Sequence, residues 1–79
     1  MDQNLILEKV KTQAGQIFTM DPDDIQTEDS HKTIKGWDSL AHLRLFMALE
    51  AEFAMKFDVG EMTGSRSIKD IVNLINRRQ

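Results

Sequence analysis

Ser39 stands in the run Gly36-Trp37-Asp38-Ser39-Leu40, directly ahead of a long segment with apolar residues at helical spacing. That placement puts one hydroxyl at the mouth of a helix, where backbone N–H groups lack intrahelical partners and the helix dipole is positive. A phosphate attached to this oxygen would be stabilised there, so the position suits a phosphodiester. Taken alone, an Asp-Ser pair before a helix is more often a plain cap, and the weight falls on its surroundings.

The other residues able to do chemistry are few. A serine nucleophile needs a base and an orienting acid within reach. His42 lies along the same helix as Ser39 without an evident carboxylate partner, and no strand-turn-helix elbow surrounds the serine. No catalytic residue is expected. Asp21, Asp23 and Asp24 suggest calcium, but the EF-hand spacing fails because Ile25 and Gln26 stand where an oxygen ligand and the turn glycine belong. They are read as a polar turn, His31 and His42 as surface or solvent-edge histidines, and no metal is expected.

The run from Asp38-Ser39-Leu40 through Met47-Ala48-Leu49-Glu50 to Phe53 resembles the acyl carrier protein family, whose signature is Asp-Ser-Leu at a helix start followed by a Met-Ala-Leu-Glu-like stretch. The likeness is strongest from Gly36 to Phe57. It continues through Val10, Gly15 and Phe18 on one side and Ile68, Ile71, Val72 and Ile75 on the other, with no large insertion or deletion. It implies that Ser39 carries 4'-phosphopantetheine, a flexible arm whose terminal thiol holds acyl or aminoacyl groups as thioesters. It also implies a phosphopantetheinyl transferase, using coenzyme A and magnesium, and acyl-loading and acyl-processing enzymes as partners, with this chain as substrate.

By the same resemblance, Asp38, Leu40, Leu43, Arg44 and Met47 fall on the partner-recognition face, and Leu45, Phe46, Met62 and Ile71 line either an acyl pocket or ordinary core. The chain departs from the housekeeping fatty-acid carriers, whose helix after the serine is strongly acidic. Asp38, Glu50 and Glu52 remain, but Ala41, Arg44 and Ala51 stand where those carriers place carboxylates. Lys32 and Lys35 shift the preceding loop the same way, which points to a dedicated pathway, fatty-acid, polyketide or otherwise specialised. The alternatives are an aminoacyl or peptidyl carrier and, from a different class, an unmodified helical adaptor that binds a groove through its apolar face.

The elements that would position Ser39 read as helices. Ile6, Val10, Ala14, Ile17 and Phe18 predict a first helix near 4 to 18, capped by Asp2 or Asn4 and ended by Asp21-Pro22. Residues 21 to 38 lack periodicity and read as a long ordered loop anchored by Ile25, Ile34 and Trp37. The second helix is predicted from Ser39 to Met55 with Asp38 as N-cap. Its apolar residues, Leu40, Leu43, Phe46, Met47, Leu49 and Phe53, cover more than one stripe, as for packing against several neighbours. A short helical turn is expected within Val59 to Gly64, weakened by Gly60 and Gly64. A final helix follows Ser67 through Ile68, Ile71, Val72 and Ile75 to Arg77 and Arg78. The fold class is all-α, a small four-helix bundle with three main helices and one short one.

The 79 residues make one expected domain, with no cysteine to staple it. Ten Lys plus Arg against thirteen Asp plus Glu give a net charge of -3, which argues against nucleic acid as a partner. No segment approaches membrane-spanning length. The start Met1-Asp2-Gln3-Asn4 has neither the basic residues nor the apolar run of a secretory signal, so a cytoplasmic protein is expected, and a solvated bundle this small is expected to be a monomer.

Overall fold

A computed structural model describes residues 2–79. Its helices follow in the order α1 (Gln3–Phe18), α2 (Ser39–Phe53), α3 (Val59–Thr63) and α4 (Ile68–Arg78), with a single 3-10 turn, Pro22–Asp24, inside the long α1–α2 connection. This is the all-α, four-helix bundle expected. The only strand-like feature among the described residues is an isolated antiparallel bridge between Ser30 and Ser67.

α1 is the spine. It is capped by Asp2, whose carboxylate accepts from the Asn4 N–H at 3.1 Å, and it buries Ile6, Val10, Ala14 and Gly15. It packs against both α2 and α4. The helix ends at Phe18, as its apolar spacing predicts, but short of Asp21-Pro22, so the proline is not what stops it. Thr19 turns left-handed (φ 56) and its N–H bonds to the Gly15 carbonyl, as does that of Met20 at 2.9 Å. A Cβ on Gly15 would lie 2.7 Å from the Met20 carbonyl oxygen. The tight reversal over Gly15 ends α1, and Pro22 serves the next element as the first residue of the 3-10 turn, capped by Asp21.

The connection is long but ordered by its bonds. Ile25, Ile34 and Trp37 are buried, as expected of its anchors. Its backbone also serves the start of α4: Asp29 and Thr27 carbonyls accept from the N–H groups of Ile68 and Lys69 at 2.9 and 3.1 Å, and the His31 N–H donates to the Arg66 carbonyl. Two of the donors a helix start leaves unpaired are thereby satisfied by the loop. Ser67 Oγ takes a third, the Asp70 N–H, at 3.1 Å.

α2 ends two residues short of the expected Met55, because Ala54 adopts the left-handed conformation (φ 52, ψ 48) and bonds its N–H to Glu50. That conformation costs an L-residue roughly 1–2 kcal/mol, which glycine avoids at some cost in unfolded-chain entropy. Ala54→Gly is expected to stabilise the fold by about 0.5–1 kcal/mol, raising the thermal midpoint by a few degrees in a circular dichroism melt.

α3 is better specified than Gly60 and Gly64 suggest. Asp58 accepts from the Glu61 N–H at 2.7 Å while the Glu61 carboxylate accepts from the Asp58 N–H at 2.9 Å, a complete capping box. Glu61 also pairs with Arg78 at 2.9 Å, and Arg78 lies over the Phe57 ring, so α3 is tied to the end of α4. α4 presents Ile68, Ile71, Val72, Leu74 and Ile75 to the core.

Candidate functional site

Ser39 is the first residue of α2 and is exposed. Asp38 is the N-cap, as expected. Its carboxylate accepts from the Ala41 N–H at 2.8 Å, and its carbonyl accepts from the His42 N–H at 2.9 Å. Among the described residues, no protein acceptor meets the amides of Ser39 or Leu40. The hydroxyl therefore sits beside N–H donors without a protein acceptor at the positive end of a helix, where negative charge is favoured.

α2 divides its apolar residues between two stripes. His42, Leu45, Phe46, Leu49 and Phe53 face the core, while Leu40, Leu43 and Met47 are exposed. The apolar pattern implies packing against several neighbours, but the stripe of Leu40, Leu43 and Met47, which the resemblance assigns to partner recognition, is left open beside Ser39 and Arg44.

His42 is the clearest departure from expectation. Instead of lying at the surface or the solvent edge it is buried, only 5% exposed. Trp37 Nε1–H donates to His42 Nδ1 at 2.9 Å, and Nε2 of the same ring lies 2.7 Å from the Met62 carbonyl oxygen. An indole nitrogen can only donate, so Nδ1 is the acceptor and Nε2 carries the proton and donates to Met62. Burial pushes the His42 pKa below its ordinary value; the Met62 carbonyl partly opposes this, and the charges of Arg66 and His31 reinforce it. The neutral ring joins the loop, α2 and α3, and it lines the same groove as Ser39. The sequence carries a signal for this placement: His42 falls in helical register with Leu45, Phe46 and Leu49.

With both ring nitrogens engaged, His42 offers no lone pair to Ser39 and cannot serve it as a general base in this arrangement. An aromatic row continues from it. Ring centroids are 5.0 Å apart for Phe18–Trp37, 5.0 Å for His42–Phe46 and 5.2 Å for Phe46–Phe57. Trp37 is thus an anchor of the loop.

A groove of about 360 Å³ opens next to Ser39. α2 contributes Ser39, His42 and Leu43, and α3 with the loop after it contributes Val59, Met62, Thr63 and Arg66. Of the four residues considered for an acyl pocket, Leu45, Phe46 and Ile71 are fully enclosed in the core, and Met62 reaches the groove. A smaller depression of about 230 Å³, by Gln3, Leu7, Thr27 and Val72, contains none of the candidate residues.

Asp21 accepts from the Asp23 N–H at 2.9 Å as the cap of the 3-10 turn, which is the polar-turn arrangement. His31 is exposed. Among the described residues no cluster of three or more His, Asp or Glu side chains could hold a metal ion, and no helix is long and apolar enough to cross a membrane.

No protein-family model matches the chain. It is similar to an acyl carrier protein of Thermosynechococcus vestitus (strain NIES-2133 / IAM M-273 / BP-1), with 33% identity over 78 residues, 99% of this chain and 96% of that protein. Among solved structures, it is similar to the solution NMR structure of holo acyl carrier protein from Geobacter metallireducens. The TM-score is 0.79 at 30% identity, covering 90% of this chain and 82% of the other.

Proposed function

Because the chain belongs to the acyl carrier protein family, we propose that it carries acyl intermediates on a 4'-phosphopantetheine arm attached to Ser39, in a specialised biosynthetic pathway with its own enzymes. The observation that carries this reading is the exposed Ser39 hydroxyl at the first turn of α2, flanked by free backbone amides and by a groove that Arg66 and Leu43 both line. The arm, when bound, supplies a thiol that holds the cargo as a thioester and raises its effective concentration at each partner site.

The protein's part is to present and to position. In the attachment step, catalysed by a phosphopantetheinyl transferase with magnesium, Ser39 Oγ attacks the pyrophosphate of coenzyme A. The new P–O bond makes the phosphodiester, one pyrophosphate P–O bond breaks, adenosine 3',5'-bisphosphate leaves, and the hydroxyl proton passes to the transferase. The amides of Ser39 and Leu40 would supply N–H donors to the negative phosphodiester. Asp38 keeps the first turn wound by capping it. Through its bonds to Trp37 and Met62, His42 ties the loop and α3 to the helix that starts at Ser39. Leu40, Leu43, Arg44 and Met47 supply the recognition face, and Asp38 borders it.

As a carrier, the chain is a substrate of its partners rather than an enzyme; a cytoplasmic monomer is the state in which such a role is proposed. The test is intact mass after incubation with coenzyme A, magnesium and a broad-specificity transferase. The expected result is the addition of one phosphopantetheine. Folded protein that gains no mass with several transferases would favour the unmodified adaptor. Offering acyl and aminoacyl ligases to the modified protein then separates acyl from aminoacyl cargo.

A further inference from the structure

The carboxylates near the open face of α2 are already engaged within the molecule. Glu50 accepts from the Phe57 N–H at 2.9 Å, and Glu52 turns to α1, pairing with Lys9 at 3.0 Å and accepting from Gln13 at 3.2 Å. Asp38 is committed to the cap of α2, and Asp58 and Glu61 to the capping box of α3. The cations are not engaged in this way. Among the described residues, Lys32, Lys35 and Arg44 are exposed and have no carboxylate partner, and Arg66 bonds only to the Thr63 carbonyl. Arg44 is the one charged side chain of α2 left without a carboxylate or amide to meet. Around it stand Leu40, Leu43 and Met47, exposed to 66%, 47% and 60%.

We propose that this face docks on partner enzymes whose carrier-binding surface is acidic, with carboxylates placed to meet Arg44 around an apolar seat for Leu40 and Met47. The inference rests on the carrier reading and adds the chemistry of the partner. The net charge of -3 does not oppose it, because exposed acids such as Asp21, Asp23, Asp24 and Glu28 belong to the α1–α2 connection ahead of the basic residues, not to α2. Complementary charge at a docking rim acts mainly on encounter and register, and like charges facing one another oppose the wrong partner. A basic enzyme surface meets Arg44 as repulsion; an acidic one meets it as attraction.

The attachment step supplies the test. A transferase with a basic carrier-binding surface is compared with a variant of it in which those basic residues are changed to Glu, using the native chain, Arg44→Gln and Arg44→Glu as substrates. Circular dichroism establishes that each is folded. With the basic transferase, kcat/KM is expected to rise about tenfold from native to Arg44→Glu. With the acidic variant it is expected to fall by a similar factor, both changes residing in KM and shrinking in 0.5 M salt, with Arg44→Gln between. Equal rates for all three substrates with both transferases would overturn the acidic-partner inference while leaving the carrier intact. Absence of transfer to the folded native chain from either transferase would remove the carrier reading and this inference with it. Sedimentation with phosphatidylcholine–phosphatidylglycerol vesicles that is lost in Arg44→Glu, without any change in transfer rates, would assign the face to an anionic membrane instead. Concentration-dependent self-association lost in the same variant would assign it to a second copy of the chain.

Discussion

Ser39→Ala is expected to gain no phosphopantetheine and to accept no thioester cargo, while unfolding within about 0.5 kcal/mol of the native protein. The two halves of that result have separate causes. Loss of modification is complete because the oxygen that forms the phosphodiester is gone and no other hydroxyl occupies its place. Ser67 Oγ accepts from the Asp70 N–H, Ser30 Oγ accepts from the Lys32 N–H, and Ser65 is buried. Stability is spared because the Ser39 side chain is exposed and bonds to none of the described residues, and because the cap belongs to Asp38. Alanine is a better helix former than serine, so any small change should favour the variant. Intact mass and a thermal melt on the same sample measure both. A variant that still gains one phosphopantetheine would move the attachment point elsewhere; one that melts far below the native protein would give Ser39 a structural role the packing does not show.

Much of this arrangement is legible in the sequence because it is local. Asp38, Ser39 and the apolar spacing that follows form a cap, a hydroxyl and a helix within a few residues, and the structure places all three accordingly. Ile25, Ile34 and Trp37 stand out as the large apolar residues of a polar loop, and burial follows from that contrast. What escapes depends on contacts between distant segments, or on signals masked by stronger ones nearby. The end of α1 is set by the approach of the Met20 carbonyl to Gly15, whereas proline is the more conspicuous local breaker. α3 carries its own signal, Asp58 with Glu61 three residues later, but the glycines between and after them mask it. The burial of His42 needs two polar partners brought from elsewhere, an indole from the loop and a carbonyl from α3. A histidine in an apolar stripe is tolerated only when such partners exist.

His42→Gln is expected to destabilise the protein by about 3 kcal/mol near pH 8, a large share of the roughly 4–12 kcal/mol typical of a domain this size. Glutamine cannot reproduce a rigid ring spanning two partners, so at least one of the Trp37 N–H and the Met62 carbonyl loses its bond in a buried site, and the contact with Phe46 is lost as well. The loss should shrink as the pH falls, and the sign follows from the protonation states. Burial lowers the pKa of His42 in the folded chain from the ordinary value of 6.5, to which it returns on unfolding. Between the two values the unfolded chain binds more protons, so native stability rises with pH. The contribution of His42 is complete above about pH 6.5 and declines below it until the native value is passed. Structurally, a proton on Nδ1 sets N–H against the Trp37 N–H and breaks the bond between loop and helix. Urea unfolding at pH 5, 6, 7 and 8, followed by the fluorescence of Trp37, the single tryptophan, measures the effect. The curves of the native protein and of His42→Gln should converge toward the acid end. A gap that stays constant across this range would mean that the histidine contributes packing alone and that its proton plays no part in holding the loop and α3 beside Ser39.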